Sequence, residues 1–368
     1  MTNKGKVLAA VIAVVAVLAG GVGLYLKGGD LMGKIFKVVP TLNVSLHAST
    51  PNVSILVAGE QFQPVASFKL VAGSEDLTID SLSINCTGGD GALGSADNNI
   101  VSVKVFGGDV NKTSYLTNGV ASFTGLKLFI PKDSDVVLNV NVDLNTIPNG
   151  ATSGEYFHFS VGNIKAVGVA SAMSATVKKT GIQESKNMHV YETEPYLTLN
   201  SKSPSGNKTP AASDTVMKFD IKANSREKVK IEKISFALAS NAVFDTTPAT
   251  TVTAYLKNIS SSSRSGKIVA SGRVDIVSTS LATVELLPIG ILEIPKGTTV
   301  TYSLELNTQS MITQSVNDDL LTPSLSVSII PGMNGGFWWN DTNNTVKWVD
   351  AASVPNGSFD LKGHTLTY

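Results

Sequence analysis

The feature that most constrains this chain is an internal repeat in which two sequence patterns recur in the same order. Residues 68–84 recur as residues 219–236: both segments begin with Phe, pass through a turn that contains serine and an acid, and end in alternating apolar and polar residues. Residues 130–146 recur as residues 294–308, with Ile-Pro-Lys at the start and Leu-Asn-Thr at the end. Solenoid units are much shorter, at about 20–50 residues. We therefore predict two copies of one domain.

The pattern of apolar residues predicts the fold class. From about residue 41 onward, apolar and polar residues alternate with a period of two, which indicates half-buried strands separated by Gly- and Asn-containing turns. Strands at this spacing, with no helical period between them, are typical of β-sandwiches. We predict an all-β protein of two tandem Ig-like β-sandwich domains, over residues 41–194 and 195–368, behind an N-terminal segment of residues 1–40. Residues 120–130 are predicted as one strand, and the short Pro-bearing linker as a semi-rigid spacer.

Composition excludes several functions. Lys plus Arg equals Asp plus Glu at 29 each, so no net field attracts nucleic acid. Charged residues make up 16% of the chain, below the usual share of about 25%, and Ser, Thr, Asn and Gly fill the polar positions, which favours an extracellular β protein. The single cysteine, Cys86, is predicted to be a small buried hydrophobe. Catalytic and transition-metal motifs are missing from the sequence, so we expect no enzyme.

Residues 7–26 carry no charged side chain, and a helix of about 20 apolar residues crosses a bilayer. We predict a membrane-spanning anchor helix that places the β domains outside the cytoplasmic membrane, at the cell surface. The residues predicted to form this anchor are Val7, Leu8, Ile12, Val15, Leu18, Leu24, Tyr25 and Leu26. A cleaved signal peptide is the alternative, because small residues occur at 17–21, although the apolar run is longer than the usual signal core of about 7–15 residues.

The three tryptophans fall together in residues 337–348, which read as a hairpin with a polar loop. Adjacent residues of a strand face opposite sides, so Trp338 and Trp339 cannot both enter one core. Exposed tryptophan is a typical interface anchor and also stacks on sugars. We predict Trp338, Trp339 and Trp348 as interface residues, with unpaired strand edges as a second contact surface. Otherwise, loops of the same domain cover them.

Two loops, residues 88–99 and 340–345, are rich in Asp and Asn, whose oxygens suit calcium. The candidate ligands are Asp90, Asp97 and Asp341. Neither loop follows the twelve-residue spacing of an EF-hand, and Asp and Asn are ordinary turn formers. Solvated turns are therefore the alternative to a calcium site, and no other cofactor is expected.

The C-terminal residues 338–368, the Val-Ala-Gly openings at 57–59 and 71–73 and the two Ile-Pro-Lys edges support a resemblance. Over most of residues 50–368 the chain resembles tandem β-sandwich, surface-layer-like envelope proteins of candidate phyla bacteria (patescibacteria). This resemblance implies a secreted or anchored envelope protein. A looser resemblance links the N-terminal segment, with Gly5-Lys6 as a processing site, to type IV pilin-like filament subunits, although no Glu begins the hydrophobic run.

The predicted function is therefore a membrane-anchored structural protein of the cell surface that assembles with copies of itself. One alternative is a filament subunit whose N-terminal helix lies in a fibre core. The other is an adhesin that binds a glycan or a host protein.

Overall fold

The computed structural model of the protein describes residues 39–52, 54–241, 243–244, 252–260, 266–278, 280–309, 312–313, 323–329, 336–341, 345–346 and 361–368. Strands dominate the described residues, which confirms the all-β prediction. Short 3-10 helices lie at Asp97–Asn99 and Ile147–Asn149. Within the described ranges, no helix has the length and apolar character needed to cross a membrane. The predicted anchor, residues 7–26, and Trp348 lie outside the described residues.

The first sandwich packs two sheets against each other. The six-stranded sheet has the order β12-β1-β3-β10-β5-β6, and the seven-stranded sheet has the order β2-β13-β11-β4-β8-β7, with β9 also paired to β4. Their inner faces share one apolar core that includes Phe68, Phe157 and Phe159. The strands are β1 (Thr41–Leu46), β2 (Ser54–Val57), β3 (Gln63–Ala72), β4 (Leu77–Gly88), β5 (Ile100–Gly107), β6 (Val110–Ser114), β7 (Leu116–Thr117), β8 (Val120–Phe123), β9 (Leu128–Ile130), β10 (Asp135–Leu144), β11 (Tyr156–Gly168), β12 (Thr176–Lys179) and β13 (Met188–Tyr191).

In the second sandwich the two faces are joined into one 13-stranded sheet, because the hairpin of β20 and β21 pairs with both sides. The order is β14-β16-β23-β19-β20-β21-β17-β25-β28-β15, with β22 and β26 also paired to β17, and β27 paired to β26. The strands are β14 (Pro195–Leu199), β15 (Gly206–Asn207), β16 (Asp214–Ala223), β17 (Val229–Ser240), β18 (Val243–Phe244), β19 (Thr253–Asn258), β20 (Lys267–Ser278), β21 (Leu281–Pro288), β22 (Leu292–Ile294), β23 (Thr299–Leu306), β24 (Ile312–Thr313), β25 (Ser324–Ile329), β26 (Phe337–Asn340), β27 (Thr345–Val346) and β28 (Leu366–Thr367).

The repeat in the sequence is a repeat of topology. The order β1-β3-β10-β5-β6 corresponds to β14-β16-β23-β19-β20, and β13-β11-β4-β8 corresponds to β28-β25-β17-β21. The parallel pair of β2 and β13 likewise corresponds to that of β15 and β28. The two copies also share a bulge. Asp80 of β4 has no partner in the pairing of β4 with β11, and Glu232 of β17 has none in the pairing of β17 with β26. In this register, Trp338 of the second sandwich is equivalent to Lys165 of the first, and Trp339 is equivalent to Ala166.

The prediction of one continuous strand over residues 120–130 is wrong. The structure ends β8 at Phe123 and begins β9 at Leu128. Between them Gly125 and Lys127 have φ of 62° and 53°, in the left-handed region that no extended strand contains. The turn lets Leu126 enter the core, and its N–H donates to Asp80 O at 2.9 Å. The apolar run is therefore two short strands.

Alternation within the strands accounts for their burial. In β10, Leu138, Val140, Val142 and Leu144 point into the core, and the polar residues between them face outward. Cys86 in β4 is buried as predicted, and burial raises the pKa of its thiol. It therefore stays protonated and packs as a small apolar side chain.

Candidate functional site

The two sandwiches meet at a junction built from strand ends and turns. Only residues 192–194 separate β13 from β14. Ile55 of β2 and Tyr191 of β13 belong to the first sandwich in the chain, yet both pack within the apolar core of the second. The two cores therefore meet without an intervening flexible segment, and the connection is tighter than a spacer.

An aromatic row crosses this junction. Trp339 in β26 is fully buried, and its ring centroid lies 5.5 Å from that of Tyr191 in an edge-to-face arrangement. Tyr191 stacks at 6.4 Å on His189, which in turn lies 5.1 Å from Tyr156. Aromatic pairs of this kind contribute about 0.5–1.5 kcal/mol each beyond the area they bury. Trp339 is therefore an interface residue within the chain, and its indole does not reach the surface.

Asp341 follows Trp339 and carries a carboxylate into the same junction. Its side chain is fully buried, and Oδ2 accepts hydrogen bonds from Ser153 Oγ and, at 2.8 Å, from Glu192 N. A buried carboxylate is tolerated only when such donors replace water. Burial, and then the charge of Asp341, raises the pKa of the neighbouring Tyr191. The Trp hairpin thus anchors the second sandwich on two segments of the first.

A second polar contact lies at the turn between β16 and β17. Asn224 Nδ2 donates to Glu60 Oε1 at 2.9 Å across the junction and to Tyr196 Oη at 3.1 Å. Asn224 Oδ1 accepts from Arg226 N at 2.9 Å, which orients the turn. The guanidinium of Arg226 donates through Nη2 to Gly59 O at 2.5 Å. Asn224 is therefore the centre of a hydrogen-bond network that joins the two sandwiches.

Glu194, in the connecting segment, lies beside this network and is 9% exposed. Burial, and to a smaller extent the charge of Glu60, raises the pKa of Glu194 to about 8, while a hydrogen bond with Tyr196 acts in the opposite direction. Burial, followed by the charge of Glu194, likewise raises the pKa of Tyr196. At neutral pH Glu194 is therefore mostly protonated, so that the junction does not contain two adjacent carboxylates.

The other predicted interface tryptophan lies on the outer face of the second sandwich. Trp338 is half-buried, and Lys233 Nζ lies 4.0 Å from the centroid of its ring. Lys233 also pairs with Glu285 at 2.9 Å, so the cation is held over the indole. A shallow groove of about 180 Å³ lies on the same strands, lined by Lys228, Lys230, Glu293 and Asn340. Of the described tryptophans, Trp338 is the one that keeps part of its surface exposed.

Each of the carboxylates predicted for calcium accepts hydrogen bonds within the chain, although Oδ1 of Asp97 is buried without a partner among the described residues. Asp90 accepts from Ala92 N and Ser95 Oγ, and Asp97 accepts from Gly119 N. Asp341 belongs to the junction rather than to a loop open to solvent. Over the described residues, no group of three or more His, Cys, Asp or Glu side chains is arranged to hold a metal. Calcium binding stays a prediction.

The residues of the polar network were not identified from the sequence, although the repeat contains a signal for them. Aligning residues 68–84 with 219–236 places Asn224 opposite Gly73 and Arg226 opposite Glu75. The same turn also carries Lys222 in place of Val71 and an additional residue, Lys228, so the alignment marks the turn as different in the two copies without identifying the contact. The partner side, Glu60 and Glu194, has no comparable pattern in the sequence.

Asp341 gives a direct test of the junction. Replacing Asp341 with alanine leaves the Glu192 N–H and the Ser153 hydroxyl without this acceptor, so we expect the free energy of unfolding to fall by about 1–3 kcal/mol. Asp90 is exposed, so Asp90→Ala is the control and should change the free energy of unfolding by less than about 0.5 kcal/mol. Urea titration with calcium or with a chelator measures both effects. A calcium-dependent midpoint that Asp90→Ala abolishes would support the calcium prediction.

No family model and no curated protein matches the chain. One similar solved structure is a family 123 glycoside hydrolase from Clostridium perfringens, with 12% identity and a TM-score of 0.25, covering 46% of this chain and 30% of that chain. CBD12 from CALX1.2 has 10% identity and a TM-score of 0.27, covering 89% and 100%. A cohesin–dockerin complex from Clostridium thermocellum has 11% identity and a TM-score of 0.22, covering 41% and 94%. TM-scores this low carry no argument about function.

Proposed function

We propose that this protein is a membrane-anchored structural protein of the cell surface, in which two coupled sandwiches form a stiff unit that assembles with copies of itself. The observation that carries the proposal is the junction. A flexible tether would need neither a shared core nor buried polar contacts between its domains. Here Tyr191 enters the neighbouring core and Asp341 is buried against the other sandwich.

The edge strands favour association of copies through the faces of their sheets rather than through pairing of an edge strand with a strand of another copy. The edge strand β12 has four residues and ends in Lys178 and Lys179, and the edge strand β14 has five residues and begins with Pro195. Short edges with Lys or Pro discourage pairing with another chain. The predicted contacts at strand edges are therefore less favoured than contacts through sheet faces.

The apolar run of residues 7–26 supports attachment to a membrane, and the low share of charged residues supports an extracellular position. The resemblance to tandem β-sandwich envelope proteins points in the same direction. The filament subunit and the adhesin are the alternatives to this proposal.

Protease treatment of intact cells tests the location. We expect the full chain to stay in the membrane pellet after carbonate extraction, and residues 41–368 to be digested when protease is added outside the cell. A variant that lacks residues 7–26 should no longer sediment with membranes. A chain that is protected in intact cells and soluble after lysis would contradict the proposal. Electron microscopy of native envelopes then separates an array from a fibre and from isolated stalks.

A further inference from the structure

Large apolar side chains are exposed together on one side of the second sandwich. Leu287, Ile289 and Ile291 are 54%, 62% and 72% exposed, and Tyr255 and Ile268 are 38% and 37% exposed. We call these five residues the apolar strip. Single exposed apolar residues are common on protein surfaces, whereas a contiguous group more often marks a contact site.

The strand register places three of the five residues along one surface. Tyr255 of β19 lies opposite Ser271 of β20, and Ser271 lies opposite Leu287 of β21. Directly opposed residues share one face of a sheet, and neighbouring strands lie about 4.8 Å apart. Beyond β21 the chain stays bonded to β20, because Ile289 N donates to Val269 O at 2.8 Å. Tyr255, Leu287 and Ile289 therefore lie along one outward surface.

The first sandwich serves as an internal control, because two of the equivalent places in the same fold do not expose large apolar residues. In the first sandwich, Lys104 occupies the position that Tyr255 has in the second. Lys104 precedes a buried residue of β5 that pairs with β10, and Tyr255 precedes a buried residue of β19 that pairs with β23. The connection that follows β8 contains Gly125 and Lys127, and its one large apolar residue, Leu126, is buried. The fold itself therefore does not require exposed apolar residues at these positions.

The location of the strip indicates its partner. The junction uses the ends of the strands, whereas the strip lies on the outward face of β19, β20 and β21 and in the connection that follows β21, at the side of the stacked sandwiches. Copies anchored in one membrane present this side to each other at equal height. None of the five residues is charged, so the strip is self-complementary in the way that a two-fold interface requires.

The size of the strip fits a contact between tethered copies. Five residues at these exposures offer on the order of 500 Å², within the range of functional patches on monomers and below the roughly 800 Å² per partner of a stable complex. Association through such an area is weak in solution and is strengthened when a membrane holds both molecules. We propose that the apolar strip is the surface through which two copies of this chain associate side by side. This inference rests on the proposed anchoring.

Cysteine cross-linking of the full chain in membranes tests the contact. Cys86 is buried and does not compete for the reagent. We expect Ile289→Cys to give a covalent dimer with a short bis-maleimide, and Tyr115→Cys, 70% exposed on the first sandwich, to give monomer. Adding Leu287→Thr and Ile291→Lys to Ile289→Cys should lower the yield of the cross-linked dimer at least tenfold. Dimer at both cysteines, dimer at neither, or dimer that survives the added substitutions would overturn the inference.

Two measurements keep this result separate from the proposed location. Thermal melts of each variant must match the parent, so that loss of dimer does not reflect unfolding. Surface protease treatment of the same cells reports whether the chain is outside. If the chain is not at the surface, bis-maleimide cross-linking of the full-chain Ile289→Cys variant in reconstituted vesicles still tests the strip. There, a covalent dimer that Leu287→Thr and Ile291→Lys remove supports the contact, and monomer alone contradicts it.

Discussion

Replacing Trp339 with alanine is expected to lower the free energy of unfolding by about 3–5 kcal/mol, the largest effect of any single change at the junction. The indole is fully buried and packs edge-to-face on Tyr191, so its removal leaves a cavity where the two sandwiches meet. The loss should also uncouple them. We expect calorimetry to show a single transition for the parent protein and two separate transitions for Trp339→Ala.

The neighbouring tryptophan is the matched control. Trp338 is half-buried on the outer face and interacts with Lys233, which is itself buried, so the cation–π contact contributes about 1–2 kcal/mol. Trp338→Ala should therefore lower the free energy of unfolding by about 2 kcal/mol, less than Trp339→Ala, and leave one transition. Equal losses for the two variants, or a single transition for Trp339→Ala, would mean that the Trp339 indole is not what couples the two sandwiches.

The second large effect is a dependence of stability on pH that originates at Glu194. Burial raises the pKa of this carboxyl from 4.5 in the unfolded chain to about 8 in the folded protein. Between these values the folded state holds a proton that the unfolded state has released. The free energy of unfolding therefore falls as the pH rises through this window, by up to about 1.4 kcal/mol per pH unit. The contribution is fully present below pH 4.5 and is lost once the pH exceeds about 8.

Glu194→Gln separates this effect from every other titration. The amide keeps the size of the protonated acid and does not ionise, so the difference in stability between parent and variant should change with the predicted slope between pH 5 and 8. Urea titrations at several pH values give that difference. Glu60 and Arg226 face the same junction and are present in both proteins, so the two proteins differ only in the carboxyl of residue 194. A constant difference across the window would show that Glu194 is not buried in solution.

The local part of the fold was predictable because it depends on local periodicity. Alternation in the sequence predicted strands over residues 136–144 and 299–306, which the structure forms as Asp135–Leu144 and Thr299–Leu306, and the repeat predicted two sandwiches. The sequence pattern did not reveal the break after Phe123, because residues 120–130 stay mostly apolar although Gly125 and Lys127 lie among them. The conformation of this turn depends on the space that the core offers to Leu126. The local sequence pattern contains no information about that space.

The junction was beyond the reach of sequence patterns for a different reason. Alternation required Trp338 and Trp339 to face opposite sides, and the structure agrees. Which of them is buried depends on Tyr191, far away in the chain, and the donors to Asp341 come from segments 149 and 188 residues distant. Contacts at such separations arise from how one sandwich is placed on the other, and hydrophobic periodicity carries no information about that.

The residues that join the two sandwiches do not recur at the outer ends of the pair. At the free end of the second sandwich, Asn207 and Thr367 occupy the positions that Ile55 and His189 hold in the first. At the other free end, Ala166 stands where the second copy has Trp339. A head-to-tail contact that repeated would propagate into an open fibre. Among the described residues, these two ends therefore lack the aromatic and apolar side chains of the junction, and the proposed self-association would have to use other surfaces.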